Sequence, residues 1–169
     1  FDVYKPLIVK IGGAGRVMSK VVGWIDRRFY AEYQGNWDDE IFRERILTRI
    51  DQSHEVLDMG AGAGIVAQMN FKGIASRVCG IDPDERVLTN SCLDEGKVAF
   101  GEDVPYPNES FDLIFADNVL EHLPEPEKVF SEVYRLLRPG GVFLAKTPNK
   151  WHYMPLIARL TPHRFHEWV

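Results

Sequence analysis

The sequence predicts an α/β fold: a doubly wound, mostly parallel sheet preceded by N-terminal helices. Three observations carry that expectation. From residue 54 onward, short apolar runs alternate with helical segments, the order that builds a parallel sheet with helices on both faces. The run Glu55-Val56-Leu57-Asp58-Met59-Gly60-Ala61-Gly62-Ala63-Gly64 ends a strand in a glycine turn. Twenty-two residues after Gly60, Asp82 closes a second apolar run, Val78-Cys79-Gly80-Ile81. A strand, a turn of bare backbone and a later strand-end carboxylate describe a nucleoside-cofactor site at the carboxyl edge of the sheet.

The elements follow in chain order. Residues 7–11 are apolar, and Gly12-Gly13-Ala14-Gly15 reads as a hinge. The segment after it has helical spacing, with Arg16, Lys20, Arg27 and Arg28 on its polar side. Such a helix can pack on its own or a partner domain, or lie on a membrane surface as a peripheral contact. Residues 38–50 form a second helix. Ile41, Phe42, Ile46 and Ile50 share one face, and Asp38-Asp39-Glu40 load the end that the helix dipole makes favourable for acids. Strand 54–59 leads to a helix over about 62–71, and strand 78–82 to a helix from Pro83 to about Asn90. A short strand follows at 97–100. Strand 111–116 leads to a helix opened by Pro126 and closed by Pro139-Gly140-Gly141. Strand 142–147 ends the series. The chain therefore divides into a helical segment over 1–50, a cofactor-binding core over 51–149 and a His- and aromatic-rich tail over 150–169.

Composition narrows the function classes. A length of 169 residues, 45% hydrophobic and 27% charged, suits one soluble globular domain. The net charge of −5 makes no case for a nucleic-acid partner. Residues 1–31 carry six basic against two acidic residues, so the rest is more acidic than the total implies. Cys79 and Cys92 suggest neither a disulfide framework nor a zinc site, and a reducing, cytoplasmic compartment is expected.

The glycine spacing selects the cofactor. A dinucleotide turn requires G-x-G-x-x-G, but the third position here is Ile65, and no P-loop pattern is present. The acidic-x-Gly-x-Gly run at 58–62 resembles motif I of the class I S-adenosylmethionine-dependent methyltransferases, whose fold is Rossmann-like. Three further stretches strengthen the resemblance. Glu102-Asp103-Val104-Pro105-Tyr106-Pro107-Asn108-Glu109-Ser110-Phe111-Asp112 is similar to the family's acidic loop and its lead into strand four. Asn118-Val119-Leu120-Glu121-His122-Leu123-Pro124 follows that strand, and Leu136-Leu137-Arg138-Pro139-Gly140-Gly141 precedes strand five. In order and spacing the four stretches resemble the branch called methyltransferase type 11, over about residues 54–149.

The resemblance implies S-adenosylmethionine as cofactor, S-adenosylhomocysteine as product and a small-molecule, lipid or glycan-precursor acceptor. Gly60, Ala61 and Gly62 would bring backbone to the methionine part. Asp58 would organise the turn or receive the methionine ammonium, and Asp82 would accept from the ribose hydroxyls. Pro83 and Ile81 would flank adenine. Many members place an Asp at the end of strand three to reach the adenine amino group. Phe100 stands there in this chain, so that duty passes to Glu102, Asp103 or backbone. Asp117 and Asn118 would sit where sulfonium and acceptor meet. His122 and Glu121 are the candidate bases, with capping or packing of the connection as their alternative role. A related quinone-precursor branch holds a divalent metal through Glu-x-x-Glu-His here; Asn118 replaces its first Glu, so no metal is expected.

Two other function classes stay open in the sequence: an NAD-dependent oxidoreductase and a non-catalytic assembly module on the same fold. The family sheet has seven strands, and this chain ends about twenty residues past strand five. A fragment of a protein about 60–90 residues longer is therefore expected. The alternatives are a tail folded back over strand five, or a homodimer in which a second copy covers it.

Overall fold

The computed structural model describes Trp24, Arg28 and residues 37–148. Asp38–Pro148 forms a compact unit that holds the sheet. Its elements are α1 (Trp37–Leu47), β1 (Glu55–Met59), β2 (Arg77–Asp82), β3 (Glu95–Val98), β4 (Phe111–Asp117), α2 (Pro126–Leu136) and β5 (Leu137–Lys146). The five strands lie in the order β3-β2-β1-β4-β5 and every pairing is parallel. The chain winds outward from β1 to β3, then crosses to β4 and β5, which places the switch point between β1 and β4.

Alternation along the strands sends side chains to two cores. Val56, Val78, Leu113 and Phe115 join Phe42, Ile46 and Phe71 on the α1 face. Leu57, Met59, Cys79, Ile81, Ile114 and Ala116 join Val129, Val133 and Leu136 on the α2 face. A sheet covered on both faces explains the continuous apolar runs Val56-Leu57 in β1 and Leu113-Ile114-Phe115-Ala116 in β4. The doubly wound fold expected from the sequence is present.

Several boundaries differ from expectation, for physical reasons. No α-helix forms over 62–71; that stretch holds only a 3-10 turn at Ala67–Met69. Positive φ angles at Gly62 and Gly64 keep its start out of the helical region. Arg43 of α1 then donates to the carbonyls of Gln68 and Asn70, acceptors that a growing helix would have used. The segment after Pro83 is likewise a 3-10 turn, Glu85–Thr89. Asp82 accepts from the Asp84 amide at 2.8 Å and Asp84 from the Arg86 amide at 2.9 Å. Two successive side-chain-to-backbone turns compete with an α-helix. The third strand lies two residues earlier than expected, at Glu95–Val98, anchored by the Asp94 amide on the Val78 carbonyl at 2.7 Å. The helix before the last strand stops at Leu136, and Pro139-Gly140-Gly141 lies within β5 beside a register shift at Phe111/Leu113.

Trp24 and Arg28 are helical. The rest of the expected basic helix, and the His- and aromatic-rich tail at 150–169, lie outside the described residues. No helix among the described residues is long and apolar enough to cross a membrane.

Candidate functional site

Parallel strands bring their carboxyl ends to one edge, and the loops leaving β1, β2, β3 and β4 converge there. They enclose a cleft of about 230 Å³. Gly60, Asp82, Pro83, Phe100, Glu102 and His122 contribute to its lining. Residues far apart in sequence thus form one site, as the glycine turn and Asp82 predict.

The turn after β1 is tied to β2 by backbone. The Gly60 and Ala61 amides donate to the Ile81 carbonyl at 2.8 and 3.1 Å. Asp82 uses both oxygens locally: Oδ2 accepts from the Gly62 amide at 2.9 Å and Oδ1 from the Asp84 amide at 2.8 Å. A carboxylate offers about four acceptor directions, so Asp82 can still accept from a diol in the cleft while it sets the two turns.

The glycines are required mainly by the protein's own packing. Gly60 has φ +85°, and a Cβ there would lie 2.4 Å from Val119 Cγ2. Gly64 has φ +67°, and a Cβ there would lie 2.1 Å from Asn90 Oδ1. Of the three turn glycines, Gly62 is the one whose missing Cβ leaves room, with Asp82 Oδ2 the nearest atom at 3.8 Å. An added Cβ at Gly60 would thus meet Val119, from the loop after β4, while the Gly60 backbone itself lines the cleft.

Asn90 was not legible as a site residue. It is buried, donates Nδ2 to the Ala61 carbonyl at 3.0 Å and to the Gly62 carbonyl at 3.3 Å, and accepts the Cys92 amide at 2.9 Å. It straps the glycine turn from the neighbouring loop. An Asn at the end of an expected helix gives no sign of this in sequence.

Asp58 is buried near the end of β1. Burial, and then the charges of Asp117 and Asp82, raise its pKa well above the usual carboxylate range. A buried acid close to two others is electrostatically suited to a cation. This observation fits the ammonium of a methionine-bearing cofactor, and the apolar walls Ile81, Pro83 and Phe100 fit a nucleobase.

Other expected residues are placed unequally. Glu102 lines the cleft, whereas Asp103 is exposed and outside the lining. Phe100 lines the cleft, is 66% exposed and lies two residues past the end of β3, so a large apolar surface stands there. Asp117 and Asn118 are outside the lining, immediately before Val119, which is in it. Asn118 has φ +54° and donates its amide to the Lys146 carbonyl and Nδ2 to Asp117 Oδ1, both at 2.9 Å. His122 lines the cleft from a 3-10 turn, Leu120–His122. Glu121 is outside the lining and accepts from Thr147 Oγ1 at 3.2 Å. Among the described residues no group of three or more His, Cys, Asp or Glu is placed to hold a metal ion.

Comparison with known proteins agrees with this geometry. A family described as "Methyltransferase domain" matches residues 57–145, more than half of the chain. A probable S-adenosylmethionine-dependent methyltransferase of Mycolicibacterium smegmatis is 34% identical over 120 residues, covering 69% of this chain and 46% of that protein. A ubiquinone biosynthesis O-methyltransferase of Thiobacillus denitrificans is 35% identical over 106 residues, covering 57% and 45%. An S-adenosylmethionine-dependent methyltransferase structure from Mesorhizobium loti superposes with a TM-score of 0.54 at 25% identity, covering 66% of this chain and 52% of that one. The chain thus spans about half the length of these relatives. The glycine turn, the strand-end Asp82, the buried Asp58 and the match over 57–145 lead to one conclusion: the chain belongs to the S-adenosylmethionine-dependent methyltransferase domain family.

Proposed function

We propose that this chain transfers a methyl group to a small-molecule, lipid or glycan-precursor acceptor by in-line displacement. The carrying observation is the convergence of the Gly60 turn, Asp82 and His122 on one cleft at the carboxyl edge. When bound, S-adenosylmethionine supplies an already activated methyl group. In this reading Asp82 accepts from the ribose hydroxyls, and Ile81, Pro83 and Phe100 enclose the adenine. Glu102 is the acceptor for its amino group. Asp58 receives the ammonium, and Asp117 and Asn118 face the reacting end.

The cleft residues would hold the bound cofactor's methyl group in line with the acceptor's lone pair for displacement. Alignment and water exclusion supply much of the rate in such a step. A hydroxyl acceptor must also lose a proton, and His122 is the cleft-lining imidazole that takes it. Glu121, held by Thr147, is a backbone-turn residue in this reading, with His122 as the base.

Calorimetric titration with S-adenosylhomocysteine and, separately, NAD tests the cofactor assignment. Binding of the first and not the second is expected; the reverse overturns it. Methyl transfer from labelled S-adenosylmethionine to a panel of phenolic, lipid and glycan acceptors then tests the reaction. Its design starts from the O-methyl transfer named for the Thiobacillus relative.

A further inference from the structure

Lys146 has a role that neither the glycine turn nor the catalytic reading accounts for. It ends β5 and lies opposite Asp117 in the β4–β5 register. Its side chain is 14% exposed, and its ammonium touches three carboxylates. Asp117 Oδ1 is at 2.9 Å and Asp38 Oδ2 at 3.3 Å, and Asp39 is in direct contact. Asp38 and Asp39 belong to the first turn of α1, whereas Asp117 ends β4, two residues before the cleft-lining Val119. The same residue's carbonyl receives the Asn118 amide at 2.9 Å, so backbone and side chain of Lys146 both fix the β4 exit.

The electrostatics require the lysine. Three acids gathered at one point repel each other, and burial adds to the cost of charge. Burial raises the Asp117 pKa, Lys146 opposes that, and Asp39 and Asp38 add to the rise. Burial also works against the Lys146 charge, but its bonds to Asp39 and Asp117 outweigh this and hold it above the usual lysine value. One cation therefore serves an element of the cofactor edge and the amino end of a helix at once.

We propose that Lys146 is a positioning residue that couples the docking of α1 to occupancy of the cofactor cleft through Asp117. The inference rests on the reading of Asp117 as a cofactor-facing group. Cofactor binding fixes Asp117, Asp117 fixes the ammonium, and the ammonium fixes the first turn of α1. Lys146→Met breaks this chain and leaves Asp117 facing Asp38 and Asp39 without a cation.

Amide hydrogen exchange across 38–47, with and without saturating S-adenosylhomocysteine, reads the coupling directly. In the wild type the ligand should slow exchange of α1. In Lys146→Met the slowing should vanish and the dissociation constant should rise about tenfold. Lys146→Arg, which keeps the charge, should retain both. Equal ligand-induced protection of α1 in Lys146→Met, or an affinity within twofold of wild type, overturns the inference. Should Lys146→Met not fold, the double variant Asp38→Asn with Asp39→Asn cuts the link on the helix side. Loss of ligand-induced protection is expected there, and undiminished protection refutes the coupling. A wild type that does not bind S-adenosylhomocysteine at all would instead overturn the cofactor assignment.

Discussion

Asp82→Ala separates two tasks that one carboxylate performs. In the free protein Asp82 accepts two backbone amides, Gly62 at 2.9 Å and Asp84 at 2.8 Å. Both lie in partly exposed turns, where water can replace the lost acceptor, so each bond is worth about 1 kcal/mol, below the range for fully shielded charged bonds. The stability loss is then about 2 kcal/mol, a fall of roughly 4–8 °C in Tm for a chain of this size. The affinity loss is separate. Removing a charge-assisted hydrogen bond to the ribose costs roughly 1.5–3 kcal/mol, or about ten- to a hundredfold in the S-adenosylhomocysteine Kd. Differential scanning calorimetry gives the first quantity and isothermal titration the second. A folded Asp82→Ala protein with a lowered Tm and unchanged affinity would refute the ribose assignment and reduce Asp82 to a clamp on the turns.

Other variants probe the rest of the edge. Gly60→Ala must accept φ +85° and a Cβ 2.4 Å from Val119; strain of about 1–2 kcal/mol and overpacking of about 1–3 kcal/mol are expected. Adding Val119→Ala should return only the packing part in a denaturant melt, and full recovery would mean the backbone is not strained. The raised Asp58 pKa favours the folded state in its neutral form. That contribution is present below the unfolded carboxylate pKa and is lost as pH rises through the folded one. Asp58→Asn should therefore raise Tm at neutral pH and remove this pH dependence, while weakening a cationic cofactor; a lower Tm at pH 7 would count against it. His122→Ala should cut turnover on a hydroxyl acceptor by about a hundredfold or more if it is the base, with S-adenosylhomocysteine affinity kept within about threefold. Wild-type turnover would leave His122 a lining residue. Asn90→Ala should loosen the Ala61–Gly62 carbonyls and lower affinity without touching ligand; an unaltered Kd would confine Asn90 to packing.

The sequence by itself determined the parallel sheet, the location of its reactive edge and the carboxylate at the end of β2. These are local facts: apolar runs, glycine spacing and one acid repeat in a fixed order, and strand direction then brings them together. The positions of Asp58 and Asp82 were legible because their motifs place them at strand ends, and that of His122 because its motif follows β4. The helical segment expected at 62–71 was not, because Arg43 from a distant helix takes the carbonyls of Gln68 and Asn70, and no local propensity encodes that competition. The purpose of Gly60 and Gly64 was likewise decided in three dimensions, where Val119 and Asn90 occupy the space that a Cβ would need. Lys146 is an unremarkable strand-end lysine in sequence. Only the register that sets it opposite Asp117, and the packing that brings Asp38 and Asp39 to it, make one ammonium answer to three acids.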